Sequence, residues 1–479
     1  MTNKLIGREK EQAVLQKMLQ TGESEMVAVI GRRRVGKTFL IRSVFAENIR
    51  FEVTGLQNAT LPRQLSNFAF QLRETFGSHA PANVPANWLE AFQQLVVCLK
   101  TTGLKEKSVL FFDELPWLAS RKSGFLEGLD FFWNSWAVKQ NIVVVICGSA
   151  ASWMIRKVVH NKGGLHNRIT KRIHLQPFDL YETERFFQSK NITLDRYQIL
   201  QIYMAMGGIP HYLKEVEDGK SAMQNIEELC FTSTGGLSDE FQKLYPALFE
   251  HSENHIVLIS ALAQKWKGLT RREIIQETKL PDGGSLSRVL EELTSSGFIS
   301  EYFAFGNRKK DVYYRLTDEY SLFYLKFIQN RKNQGADAWQ HFSQTPQYAA
   351  WSGYAFESIC LKHIPQIKKA MGIAGIYTES SGFYRPGTPV ETGIQIDLLF
   401  DRRDNVIDLF ELKFYNEPLR LDKSDAMMLR EKIANFRRLT STRKQIFLSF
   451  LSTFGLQPNE NSIGLVTRSM TMDVLFEKM

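Results

Sequence analysis

Cysteine is scarce: four in 479 residues, Cys98, Cys147, Cys230 and Cys360. They are too scattered for a CxxC metal knuckle and too few for a disulfide framework in so long a chain, so both classes drop out and a reducing cytoplasm fits. No stretch supplies the roughly 18 uncharged apolar residues of a spanning helix. The start of the chain meets Glu9, Lys10 and Glu11 before an apolar signal region can form, so neither a membrane segment nor a standard secretory leader is expected. Internal repeats and low-complexity tracts are missing as well. Charge of one sign is not in strong excess: 60 Lys and Arg against 51 Asp and Glu give a formal +9, which permits a polyanionic partner without demanding one.

What is present is ordinary globular composition, 43% hydrophobic and 23% charged, over a length that suggests about three domains. Over residues 1–177, helical periodicity from Glu9 to Leu19 alternates with apolar runs at Met26–Ile30, Ser108–Phe112 and Ile142–Cys147. Short Val, Ile, Leu and Phe runs between helices are the signature of parallel strands buried on both faces, so the fold class is α/β. Residues 178–249 read as a helical lid, broken at Gly207-Gly208-Ile209-Pro210. In 250–335, helices at Ile256–Lys265, Arg271–Lys279 and Ser285–Ser295 precede a hairpin, Phe298–Phe303 and Val312–Leu316 about a Gly306-Asn307 turn, the order of a winged helix. A helical connector, Tyr320 to Asn330, and a polar boundary at Asn333–Asp337 follow. Residues 345–479 form a second α/β unit: helix Gly353–His363, strands Gly393–Phe400 and Val406–Phe414, helix Ala426–Leu439, and strands Gln445–Leu451 and Ile463–Thr467.

Gly31-Arg32-Arg33-Arg34-Val35-Gly36-Lys37-Thr38, running into Phe39, matches GxxxxGK[ST] behind a strand and before a helix. Gly31 and Gly36 let the backbone bend into a nest of N–H groups aimed at phosphate oxygens, so the expected ligand is ATP. Lys37 reaches the β- and γ-phosphates, and Thr38 ligates Mg2+. Four apolar residues, Val109 to Phe112, end in Asp113 and Glu114. At a carboxyl edge of the sheet, Asp113 holds the Mg2+ shell and Glu114 orients or deprotonates the attacking water. Ser149 stands at the end of a third strand, where a γ-phosphate sensor lies, and Arg168 follows a Gly163-Gly164 loop, placed to contact phosphate in cis or from a neighbouring copy.

Together, Ile6-Gly7-Arg8-Glu9, the phosphate loop, Asp113-Glu114, Gly148-Ser149 and Gly207-Gly208-Ile209-Pro210 resemble the archaeal-type AAA-related ATPases of the STAND class. The resemblance covers nearly the whole chain and implies an ATPase core, helical lid, winged helix and C-terminal restriction-endonuclease-like domain of unknown function. It also implies that Gly7 and Arg8 lie near the adenine and Pro210 near the base or sugar. Asn167 departs from the Gly expected before Arg168.

In the C-terminal unit, alternation puts Glu411 and Lys413 on one strand face and Phe410 and Leu412 in the core, with Asp397 on the neighbouring strand able to meet them. Two carboxylates holding Mg2+ or Mn2+, with a Lys beside the water, are a minimal kit for phosphodiester hydrolysis. This is the D…ExK pattern of restriction-endonuclease-like nucleases, and Glu357 matches the acid their first helix often adds. In the winged helix, Leu286, Val289, Leu290 and Leu293 form a buried stripe, leaving Ser287, Arg288, Ser295, Glu291 and Glu292 outward. Arg288 with Arg308, Lys309 and Lys310 are the candidate DNA contacts. The expectation is an ATP-hydrolysing protein coupling nucleotide state to DNA binding or metal-dependent cleavage, in defence against foreign DNA. The alternative is a STAND-like switch that forms homo-oligomers and uses its C-terminal domains to bind proteins.

Overall fold

The computed structural model describes residues 5–104, 107–120, 122–159, 168–249, 251–306, 312–329, 338–387 and 393–479. Gly163, Gly164, Asn167, Asn307, Arg308, Lys309, Lys310 and the Asn333–Asp337 boundary lie outside them. The chain forms two compact units, the first drawn from Met1–Pro177, Ala247–Glu250 and Glu291–Ser296, the second from the rest.

In the first unit, β1 (Glu25–Ile30), β2 (Ile49–Thr54), β3 (Ser108–Asp113), β4 (Ile142–Gly148) and β5 (Lys171–His174) make one sheet in the order β2-β3-β4-β1-β5. Every pairing is parallel. β3 and β4 are buried at each position, which is why their sequences read as unbroken apolar runs. Helices cover the faces: Leu61–Phe76 turns Leu65, Phe68, Ala69, Leu72 and Phe76 inward at helical spacing. Helix Trp88–Thr102 starts where Asn87 accepts from the Glu90 amide at 3.0 Å. Phe68, Trp88, Phe92 and Phe125 pack edge-on beneath the sheet. Because all strands run one way, the ends of β1, β3 and β4 share one edge.

The second unit opens with helices Leu180–Ser189 and Arg196–Met206, each capped by an Asp, at 179 and 195. Gly207 then takes φ 66°, and Gly208 lies so close to Phe178 that a Cβ would sit 1.9 Å from its carbonyl oxygen. Helices Glu253–Leu262, Arg271–Thr278 and Gly284–Ser295 accompany β6 (Leu269–Thr270), β7 (Ile299–Phe303) and β8 (Val312–Leu316), an antiparallel sheet ordered β6-β8-β7. The stripe Leu286, Val289, Leu290 and Leu293 is buried as expected, but Glu292 is not outward. It is buried and accepts from Arg156 Nη2 at 3.0 Å, a partner that offsets the cost of burying the charge.

The third sheet is mixed: β9 (Thr378–Arg385), β10 (Ile394–Arg402), β11 (Val406–Lys413), β12 (Gln445–Ser452) and β13 (Arg468–Thr471), ordered β13-β12-β11-β10-β9. β9, β10 and β11 pair antiparallel, then β11, β12 and β13 parallel. The last strand is not at Ile463–Thr467. There Asn459 accepts from the Ser462 amide and Gly464 takes φ 77°, so the chain turns and pairing begins at Arg468. Helix Pro346–Lys362 begins earlier than expected, on a Thr345 cap. Just past its end His363, 1% exposed, accepts from the Leu180 amide at Nε2 (3.1 Å), so its proton sits on Nδ1 and is donated to the Ile359 carbonyl (2.8 Å). No helix among the described residues is long and apolar enough to cross a membrane.

Candidate functional site

β1 hands over to helix Lys37–Val44 through a loop in which Arg34 (φ 72°) and Gly36 (φ 92°) are left-handed. A Cβ at Gly36 would meet nothing, so glycine is favoured there by its φ alone. Gly31 differs: its φ is ordinary, but a Cβ would lie 2.5 Å from the Leu175 carbonyl oxygen, so its role in the structure is close approach rather than bending. Lys37 is buried, and its ammonium donates to the Arg32 carbonyl at 3.0 Å, folded over the loop. Arg32 and Val35 are buried, Arg33 is half-buried and Phe39 is exposed on the helix's first turn.

Thr38 Oγ1 donates to Asp113 Oδ2 at 2.7 Å, across the strand edge. Asp113 Oδ1 accepts from the Glu114 amide, and Glu114 itself is left-handed at φ 48°. Its carboxylate turns toward β4, where Oε2 accepts from Ser149 Oγ at 2.8 Å and from the Ser149 amide at 3.3 Å. Beneath them burial, helped by the Asp113 charge, pushes the Cys147 thiol well up, which keeps it an inert neutral group. Gly7 and Arg8 are both left-handed, and Arg8 Nη2 donates to the Val35 carbonyl at 3.4 Å, so the chain ahead of the first helix reaches the loop. Arg168 Nε donates to Asn134 at 2.8 Å and lies 3.2 Å from Asp130, which holds it against helix Phe125–Ser135. Pro210 belongs to the second unit, as first residue of a short helix to Leu213.

In the second unit, Asp397, just before Leu398, and Glu411, just after Phe410, lie one position beyond the Leu398–Phe410 pair of adjoining antiparallel strands. Glu357 projects from helix Pro346–Lys362 toward them: burial first, then the Asp397 charge, pushes its carboxyl up to about 8, with Arg315 and Lys413 pulling the other way. Asp397 Oδ1 accepts from Gln395 at 2.7 Å. Lys413 Nζ is 3.7 Å from Glu411 Oε2. β11 is the middle strand and is buried on both faces, so Glu411, on the face it shares with Lys413, is nearly as enclosed as Phe410 and Leu412 on the other. Among the described residues, no three His, Cys, Asp or Glu side chains come together as a metal-holding group, so the acids do not form a set of three. Two cations went unrecognised in the sequence. Arg315, on β8, faces Glu357; Lys432, on helix Lys423–Thr440, touches Glu411 Oε1. For Lys432 a signal existed, since it lies between Leu429 and Phe436 on the buried stripe.

Residues 5–216 match the family model described as an ATPase domain predominantly from Archaea. An uncharacterized protein of Methanocaldococcus jannaschii is 24% identical over 212 residues, 44% of this chain and 44% of that protein. The chain thus spans less than half the length of this curated relative. Among solved structures, the Walker-type ATPase PABY2304 of Pyrococcus abyssi is 19% identical, covering 67% of this chain and 96% of its own, with a TM-score of 0.48. The ORC2 protein of Aeropyrum pernix, in ADPNP–ADP complexes, is 13% identical, covering 72% and 98%, with a TM-score of 0.45. The family match falls on the stretch that holds the parallel sheet, the left-handed turn at Gly36 and the Thr38–Asp113 contact, so residues 5–216 resemble an ATPase domain in sequence where the structure has a P-loop arrangement.

Proposed function

We propose that the ATPase domain works on Mg·ATP and that its nucleotide state governs a DNA-acting, metal-dependent C-terminal half. At the first site a hydroxyl and a carboxylate 2.7 Å apart, Thr38 and Asp113, are hard oxygen donors of the kind Mg2+ takes, and the backbone around Gly36 is open enough for phosphate. Mg2+ there supplies neutralisation of phosphate charge. Lys37 leaves the Arg32 carbonyl for the β- and γ-phosphates, Ser149 meets the γ-phosphate side, and Glu114 accepts the proton of the attacking water. Gly7, Arg8 and Pro210 are assigned to the base and sugar, Arg32, Arg33, Arg34, Val35 and Phe39 to the phosphate loop and its exit, and Arg168 to phosphate in cis or from a second copy.

In the second half, the three helices with their hairpin are read as a winged helix and the mixed sheet as a restriction-endonuclease-like domain. The observation that carries this reading is the Glu411–Lys413 pair on one strand with Asp397 on the next, and Glu357 on a helix near enough to feel the Asp397 charge. Asp397 and Glu411 would hold Mg2+ or Mn2+, Lys413 would orient the water, and Glu357 would shape the charge around them. Arg288 and the wing cations Arg308, Lys309 and Lys310 would contact DNA phosphates. Defence against foreign DNA suits such a pairing. A second reading, a STAND-like oligomerising switch with protein-binding C-terminal domains, is favoured by one fact: the acids do not gather as a set of three.

The test is thermal stability in Mn2+ and nicking of plasmid and single-stranded DNA, with and without ATP. The nuclease reading expects stabilisation that grows with Mn2+ and is lost in Asp397→Ala, while Lys413→Ala still takes up metal but cleaves poorly. No Asp397-dependent stabilisation and no nicking with ATP present would leave the switch.

A further inference from the structure

Glu411 is the most enclosed carboxylate of the C-terminal cluster, its side chain 8% exposed, and a charge so buried needs a counter-charge. The ExK spacing points to Lys413, yet that ammonium is 3.7 Å away and 42% exposed. The close contact comes from elsewhere: Lys432 reaches Glu411 Oε1 from helix Lys423–Thr440. Its placement is built in. Lys432 is three residues after Leu429 and four before Phe436, on the stripe through which that helix meets the sheet, and Ile433 packs on the same core. The helix start is fixed by a reciprocal Asp422–Asp425 capping box. A lysine on a core-facing stripe loses side-chain freedom and solvation, and the acid that meets it is Glu411.

A divalent cation approaching Asp397 and Glu411 meets an ammonium already seated on Glu411 Oε1, and that ammonium left in place would repel it. We propose that Lys432 is an internal counter-cation of this site, a latch on Glu411 that a divalent metal must displace in order to bind. The inference rests on reading Asp397 and Glu411 as metal ligands. Lys413, more exposed and farther away, can remain beside the site when metal is bound; Lys432 cannot. Metal uptake therefore moves a side chain of helix Lys423–Thr440, whose outer face carries the exposed Met427 and Met428.

The test titrates Mn2+ into the full-length protein by calorimetry at pH 8, comparing wild type with Lys432→Gln, Lys432→Met, Lys413→Gln and Asp397→Ala. The latch predicts that both Lys432 variants bind Mn2+ at the Asp397-dependent site about tenfold or more tightly than wild type, with Lys413→Gln changing much less. Metal binding seen only once Lys432 is replaced would support it equally. Wild-type binding that is lost in Asp397→Ala but unchanged or weakened in both Lys432 variants would overturn the latch and leave the metal site standing. If no form binds Mn2+ in an Asp397-dependent way, the metal site and the latch fall together. Circular dichroism of each variant checks that helix Lys423–Thr440 has kept its structure, and the Gln and Met substitutions, differing in polarity, guard against one of them misfolding.

Discussion

Ser149 holds Glu114: one carboxylate oxygen accepts from both the hydroxyl and the amide of the same serine, at 2.8 and 3.3 Å. The residue proposed to take a proton from water is therefore aimed by the end of β4 rather than by its own strand. Removing the hydroxyl leaves the amide, so Ser149→Ala should lower kcat by about tenfold, the worth of one hydrogen bond to a charged group, with KM little changed. Ser149→Thr should restore much of the loss. A change confined to KM would mean that Ser149 serves the nucleotide alone and does not aim Glu114.

Lys37 and Glu114 should separate binding from chemistry. Lys37→Ala removes the ammonium now donating to the Arg32 carbonyl, and nucleotide affinity should fall beyond detection in a fluorescent-nucleotide titration. Glu114→Gln keeps size and hydrogen bonding but loses the base, so ATP should still bind while turnover drops by about a hundredfold or more. Wild-type turnover in both variants would refute the site.

Two glycines of the second unit should respond with opposite sign. Gly208→Ala would drive a Cβ to 1.9 Å from the Phe178 carbonyl, and backbone cannot yield as a flexible side chain does, so a loss of about 3 kcal/mol is expected. Gly353, inside helix Pro346–Lys362 with open space at its Cβ, should gain about 0.5–1 kcal/mol as Ala. Denaturant midpoints of the two variants decide the matter.

His363 should make the second unit sensitive to acid. Burial first of all holds its pKa down to about 4, against roughly 6.5 in an unfolded chain. Between those values the unfolded state binds more protons, so stability present above about pH 6.5 drains away as pH falls toward 4. From pH 7 to pH 5 this group should account for about 2 kcal/mol. His363→Gln, which can still accept from Leu180 but does not titrate, should remove that share of the slope. An identical pH profile in the variant would discount the histidine.

The sequence spoke clearly where strands are buried on both faces. β1, β3 and β4 each hold an unbroken apolar run and are legible, whereas β5, Lys-Arg-Ile-His, buries only Ile173 and carries no strand pattern. β9 lies at a sheet edge with mostly polar residues and was equally silent. The apolar Ile463 to Val466 misled because Gly464 and Asn459 build a turn there. The phosphate-loop residues and Asp113 could be picked out because backbone spacing brings them together. Lys432 showed only as a lysine on the buried stripe of its helix, and its partner could not be read because 21 residues separate it from Glu411. Glu292 misled for the same reason, a charge whose partner, Arg156, is distant in the chain.

Gly31 carries a different kind of consequence. A side chain at this position would strike the carbonyl of Leu175, the residue just after β5, and β5 is an edge strand held only by its four residues on β1. The first glycine of the phosphate motif is thus a spacer between two strands. In homologous chains positions 31 and 175 should covary: where 31 is not glycine, the segment after the edge strand should be shifted, shortened or rebuilt. A phosphate loop transplanted into this chain would need that segment to come with it.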